Sequence, residues 1–224
     1  MGSGSNVATS GEVDVLSFLP ESPLIFDVGA NRGEFAKLVY TRRPKANLHC
    51  FEPSSHAFAL LSVALVGTGA KVNNLAVSSK AEVRTLYSDK PGSELASLTR
   101  RDIAHHGIEM CDCEKVFAVS IDEYCEQNKI SSIDLLKVDV EGHELDVFNG
   151  SRKMFDAGGI RHVLFEFGGC NIDTRTYFKD FFVFLNSFGA KKIYRISASG
   201  SMVHVNNYSE CFEVFFTTNY FVVF

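Results

Sequence analysis

The chain has 224 residues, 46% hydrophobic and 22% charged, with 20 Phe, 7 Tyr and no Trp. Such a composition excludes disordered, collagenous and low-complexity classes, and the length suits one α/β domain with a large core. The formal charge of −5 leaves no general basic surface, so no nucleic-acid partner is expected, although a small basic patch on an RNA-modifying enzyme is compatible with it.

Met1 to Ser5 reads as a cloning scar, so residues 1–23 are expected to be that scar plus a leader helix, and 24–224 a single domain. Leu24 to Val28 is a short apolar run ending at glycine, a buried strand. Gly33 to Arg43 carries Phe35, Leu38 and Val39 at helical spacing and stops at Pro44. Asn47 to Phe51 is a second strand, with Cys50 as a small apolar core residue. Ser54 caps a helix bearing Phe58, Leu61 and Leu65 on one face. The apolar part of that stretch, Ala57 to Val66, is about half the ~20 residues a bilayer needs. No membrane span is expected, and the location is read as cytoplasmic.

Val72 to Val77 predicts a third strand and Ala81 to Tyr87 an added hairpin partner. Ser88 to Gly107 is irregular, as a lid or insertion would be. Lys115 to Ser120 is a strand and Ile121 to Asn128 a short helix. Ile133 to Val140 is the strongest buried-strand signal, followed by a helix from His143 to Asn149. Arg161 to Phe167 is a strand, Thr174 to Phe188 a Phe-rich helix, and Lys191 to Ile196 and Cys211 to Thr217 two closing strands. Strands alternating with helices imply a mostly parallel sheet covered on both faces. The last two strands lack a helix between them, so they should pair antiparallel. The expectation is a Rossmann-like α/β fold of the class I methyltransferase type, with seven strands and a C-terminal β-hairpin. Ligands in such sheets sit at the carboxyl ends of the strands.

Three features stand at those ends. Asp27-Val28-Gly29-Ala30-Asn31-Arg32-Gly33 joins the first strand to the first helix. Its glycines suit a tight turn and close approach of a ligand to backbone. Glu52 ends the second strand, nineteen positions after Gly33, where a carboxylate suits two ribose hydroxyls. Together they favour an adenosine-containing cofactor. The third feature, Lys137-Val138-Asp139-Val140-Glu141-Gly142-His143-Glu144, follows the strongest strand. Lys137, Asp139 and Glu141 would point the same way in extended chain. Burying such charges unpaired would be costly, so a site is a better reading than plain structure.

FDVGANRGEF, CFEPS, LLKVDVEGHE and VLFEFG, in this order, resemble the FkbM-type methyltransferases, from about Leu24 to Thr218. The later NIDTRTYFKDFF and KIYRIS fit the same family. The resemblance implies an S-adenosylmethionine-dependent enzyme that O-methylates a hydroxyl of a sugar, glycan or other small metabolite. It implies that Asp27, Gly29, Asn31 and Gly33 hold the methionine portion, with Asp27 accepting from the cofactor's ammonium. Glu52 would bind the ribose, and Asn74, Leu75 and Ala76 would lie near the adenine. Asp139 would sit beside the reacting methyl, with Glu141 and His143 matching the motif.

In-line positioning and proton removal are the chemistry such a site must supply. By ordinary pKa His143 is the first choice of base and Asp139 the second; the equal alternative for His143 is a helix-start residue that only hydrogen-bonds Glu166. Asp139, Glu141, His143 and Glu166 together raise the question of Mg²⁺ or Mn²⁺, but no second cluster accompanies them, and no metal is favoured. His105, His106, Cys111 and Cys113 lack usual zinc spacing and read as an ordinary loop. Ser97 to Arg101 would cover the acceptor, with Arg100 and Arg101 available to an anionic one. Two alternatives stand beside this reading. A nicotinamide-dependent oxidoreductase is weakened by the missing G-x-G-x-x-G and Tyr-x-x-x-Lys patterns, and a non-catalytic cofactor-binding domain by the Asp139, Glu141, His143 set. Oligomeric state is not legible.

Overall fold

The computed structural model describes residues 11–197 and 200–224; the Met1 to Ser5 reading lies outside them. The chain runs β1 (Leu24–Val28), α1 (Glu34–Arg42), β2 (Asn47–Phe51), α2 (Ser55–Ala64), β3 (Lys71–Asn73), β4 (Ala76–Val77), β5 (Glu82–Ser88), β6 (Asp112–Val119) and α3 (Ile121–Asn128). It continues through β7 (Leu135–Val138), α4 (Glu144–Asn149), α5 (Arg152–Asp156), β8 (His162–Phe167), α6 (Cys170–Thr174), α7 (Phe178–Ser187), β9 (Lys192–Ile196), β10 (Met202–His204) and β11 (Thr218–Val223). The large sheet has the order β10-β9-β11-β8-β7-β1-β2-β3. β8, β7, β1, β2 and β3 are parallel, and β11 is antiparallel to both β8 and β9.

The central strands are apolar on both faces because helices cover both. Alternate residues feed two cores. Phe26, Leu136, Val138, Phe165 and Tyr220 meet Phe148, Phe178, Phe181 and Leu185 from α4 and α7 on one side. Ile25, Leu48, Cys50, Leu135 and Phe221 meet Phe35, Val39 and Leu61 from α1 and α2 on the other. The leader is a 3₁₀ helix, Glu12–Phe18, whose Val15 and Leu16 join this second core.

Four expectations are corrected in detail. Eight strands form the large sheet, because β10 adds a short antiparallel edge to β9. The stretch 72–77 splits, since the Asn74 amide donates to the Glu52 and Pro53 carbonyls and turns the chain. β4 then pairs with β6, and β5 with β6, in a separate three-stranded sheet. The helix expected from Thr174 breaks at Arg175, which is left-handed (φ 56°). The last strand is Thr218–Val223 instead of 211–217, and it inserts between β8 and β9. Glu213 is diverted to cap α7, accepting the Phe178 and Lys179 amides at 2.8 and 2.9 Å.

Candidate active site

Parallel neighbours β2 and β7 flank β1, so the sheet's chain direction of growth reverses there, and a cleft opens at the strand ends. The cleft encloses about 690 Å³. Gly29, Asn31, Glu52, Leu75, Ala76, Lys137, Asp139, Glu141 and Glu166 all line it.

The first turn is built on backbone contacts. Gly29 has φ +79°, and a Cβ there would lie 1.7 Å from the Asp139 carbonyl oxygen. Only glycine lets the ends of β1 and β7 touch. The Gly29 and Ala30 amides both donate to Phe51 O at 3.0 Å, and Asp139 N donates to Val28 O at 3.0 Å. Gly33 caps α1 against Leu61 and does not line the cleft.

Glu52 is 6% exposed and accepts the Asn31 amide at 2.9 Å and the Ser54 amide at 2.8 Å. Burial pushes its carboxyl up to about 7, against those amides and Lys137, which favour the ion. Leu75, Ala76, Val77 and Phe51 add an apolar slot beside it. Asn74 does not line the cleft; its amide shapes the slot from behind by holding the Glu52 and Pro53 carbonyls.

Asp27 is fully buried and outside the cleft lining. Its Oδ1 lies 3.1 Å from Lys137 Nζ, which also donates to Gly29 O at 3.2 Å and stands 3.7 Å from Asp139. Burial raises the Asp27 carboxyl, partly offset by Lys137. For Lys137 burial acts downward, but Asp27, Asp139 and Glu12 outweigh it and hold the ammonium above its usual range. Asp27, which the family resemblance assigns to the cofactor's ammonium, faces the ammonium of Lys137 in this structure.

β7 ends at Val138, one residue before Asp139, and the turn after it is left-handed at Glu141 (φ 53°) and Gly142 (φ 103°). Glu144, fully buried, braces that turn: one oxygen accepts the Val140 and Gly142 amides, the other the Asn171 amide group. The turn brings one carboxylate oxygen each of Asp139, Glu141 and Glu166 within 4.8 Å of one another, the one such His/Cys/Asp/Glu group among the described residues. Burial, then Asp139, raises Glu141 to about 8 against the pull of Arg101. Burial and the neighbouring acids raise Glu166 well above the usual range.

The segment between β5 and β6 forms one wall, and it is tied to the same turn. Ser97 Oγ donates to Glu141 O at 2.8 Å. Arg101 pairs with Glu141 and with Asp173, so its guanidinium is engaged within the protein. Thr99 Oγ1 lies 2.9 Å from His143 Nε2, and His143 Nδ1 lies 2.8 Å from Asp146. The bond from His143 holds the Asp146 carboxyl below its usual range, which makes Nδ1 the donor; in the neutral ring Nε2 then accepts from Thr99. His143 is 7% exposed, outside the cleft lining, and bonded to neither Glu166 nor the cleft. Glu12, at the start of the leader helix, lines the cleft and accepts from Asn219 at 2.8 Å; no sequence signal marked it.

Seven strands in the order β9-β11-β8-β7-β1-β2-β3, with β11 antiparallel and a cleft at β1, define the class I methyltransferase fold. The chain belongs to the FkbM methyltransferase family: residues 27–192 match the Methyltransferase FkbM domain. It is 32% identical to Methyltransferase sdnD of Sordaria araneosa over 159 residues, 59% of this chain and 61% of that protein. It is 31% identical to Hexuronic acid methyltransferase AglP of Haloferax volcanii over 147 residues, 62% of this chain and 56% of that protein. The chain thus spans about three fifths of the length of these curated relatives. The crystal structure of Methyltransferase FkbM from Methylobacillus flagellatus matches with TM-score 0.57 and 12% identity, over 90% of this chain and 44% of that one, a likeness of fold. Membership points away from the nicotinamide-dependent alternative. Among the described residues, no helix is long and apolar enough to cross a membrane.

Proposed function

We propose that this chain is an S-adenosylmethionine-dependent O-methyltransferase acting on a hydroxyl of a sugar, glycan or other small metabolite. The observation that carries it is one cleft joining the Gly29 turn, Glu52 and the Leu75–Val77 slot to the carboxylates Asp139, Glu141 and Glu166. When bound, S-adenosylmethionine supplies an activated sulfonium methyl group. The Gly29 backbone permits close approach of the methionine portion. Glu52 accepts from the ribose hydroxyls, and Leu75, Ala76 and Val77 pack on the adenine.

Asp139 takes the acceptor hydroxyl's proton as the new O–C bond forms and the methyl–sulfur bond breaks, leaving S-adenosylhomocysteine and a methyl ether. Support for Asp139 over His143 comes from exposure: the Asp139 side chain is 40% exposed in the cleft, whereas both His143 nitrogens are engaged elsewhere. Glu141, bound to Arg101, orients the turn. The hexuronic acid named for AglP places a sugar among the acceptors worth testing.

The test is incubation with S-adenosylmethionine and a panel of free sugars, methyl glycosides, hexuronic acids and small alcohols, followed by mass spectrometry. An O-methyl product with matching S-adenosylhomocysteine release is expected; methyl recovered on nitrogen or carbon, or no S-adenosylhomocysteine binding, overturns the reading. Activity should survive EDTA unchanged. Abolition by EDTA and rescue by Mg²⁺ would make Asp139, Glu141 and Glu166 metal ligands instead.

Glu52 yields a pH prediction. Its ion, not its acid, accepts from two hydroxyls, and its carboxyl titrates at about 7. S-Adenosylhomocysteine affinity should therefore climb as pH rises from 6 to 8. Glu52→Gln should flatten that rise and weaken binding by about 1–3 kcal/mol, since a charge-assisted bond is lost. Calorimetry across that range checks both.

A further inference from the structure

Phe216 lines the same cleft as Asp139, Glu141 and Glu166, and it is 66% exposed. A lone exposed Phe needs no explanation, but this one faces a cleft from between anchored neighbours. On one side Glu213 is fixed by the Phe178 and Lys179 amides and the Tyr208 hydroxyl. Next to Phe216, Phe215 packs its ring 5.3 Å from Phe167. On the other side the Thr217 backbone lies against Gly168, where a Cβ would meet Thr217 Cα at 2.9 Å. The Thr218 hydroxyl then donates to Phe216 O at 2.8 Å, and β11 begins. The backbone on both sides of this ring is anchored, and among the described residues the ring has no aromatic partner.

Phe216 and the three acids share the lining of one cleft. Thr218 pairs with Phe167 and Asn219 with Glu166, so Phe216 precedes the strand that runs beside the Glu166 carboxylate. The cleft therefore offers an exposed apolar face and three carboxyl groups, one oxygen of each within 4.8 Å of the others. A pyranose ring has both matching parts, C–H groups on its faces and adjacent hydroxyls on its edge. An aliphatic chain would leave the carboxyl groups unused, and an anionic acceptor would meet the Asp139 carboxylate and be repelled by it.

We propose that Phe216 is the stacking platform of the acceptor subsite and fixes its preference for an uncharged pyranose. This rests on the O-methyltransferase reading above. The experiment is saturation-transfer NMR on protein saturated with S-adenosylhomocysteine, using methyl glucopyranoside, galactopyranoside, mannopyranoside and glucuronide, with cyclohexanol as the non-sugar probe. Saturation should reach the ring C–H protons of at least one neutral pyranoside. Phe216→Ala should cut it about fivefold, as expected for one lost ring contact, and Phe216→Tyr should restore it. S-Adenosylhomocysteine affinity should be equal in all three proteins. Undiminished transfer in Phe216→Ala, or transfer only to the glucuronide or cyclohexanol, or to no probe at all, overturns the inference. Failure of wild-type protein to bind S-adenosylhomocysteine would instead remove the reading beneath it.

Discussion

Asp139→Asn should lower kcat by about a hundredfold to ten-thousandfold, the range spanned by loss of a positioned general base, while S-adenosylhomocysteine affinity stays within a small factor. The substitution keeps size and removes the proton acceptor. The Asp139 amide donates to Val28 O whatever the side chain is, so the strand ends stay joined. His143→Gln is the matched control. It keeps a polar group near Thr99 and Asp146, and kcat should remain within about tenfold if His143 only holds the wall. A collapse of kcat in His143→Gln together with near-normal turnover in Asp139→Asn would return the base role to the histidine.

Lys137→Met should be the most destabilising of the conservative site variants. It strips the cation from Asp27, a carboxylate with no exposure. Breaking such a pair from one side costs about 3–5 kcal/mol, a fall of roughly 10 °C in Tm for a chain this size. Burial and the nearby Asp139 then both raise the Asp27 carboxyl, with no cation to offset them. An acid whose folded pKa is raised contributes stability at low pH that is lost as pH climbs through the folded value. The gap between variant and wild type should thus be widest near neutrality and narrow toward pH 4. Asp27→Asn added to Lys137→Met should recover part of the loss, since the remaining pair carries no charge. Equal destabilisation at all pH values would mean that lost packing, not the bare carboxylate, is responsible.

Much of this architecture was legible because its signals are local. The run Leu135 to Val138 is buried throughout and, Lys137 apart, apolar without alternation, as a strand covered on both faces must be. Ser54 caps its helix as its type suggests. Gly29 and Glu52 mark strand ends because one permits a close turn and the other is an acid beside buried chain. What stayed hidden depends on distant partners. Nothing near Asp27 in sequence shows that Lys137 will reach it across 110 positions. His143 sits in a motif that suggests chemistry, and only the return of Thr99 from the β5–β6 connection occupies its second nitrogen. The sequence does not separate the last strand from its neighbour, because Phe212 to Phe216 is as aromatic as Tyr220 to Val223. The choice is made by Glu213, whose carboxylate is drawn off to the start of α7.

The contact between Gly29 and the Asp139 carbonyl has a mechanical consequence. With no room for even a methyl group between them, the loop that would seat the nucleoside donor and the residue that would receive the proton move as one body. Adjusting the grip on the donor would therefore shift the aim of the base. Variation in acceptor choice would then be left to a part anchored elsewhere, the segment that carries Phe216, which Glu213 ties to the start of α7.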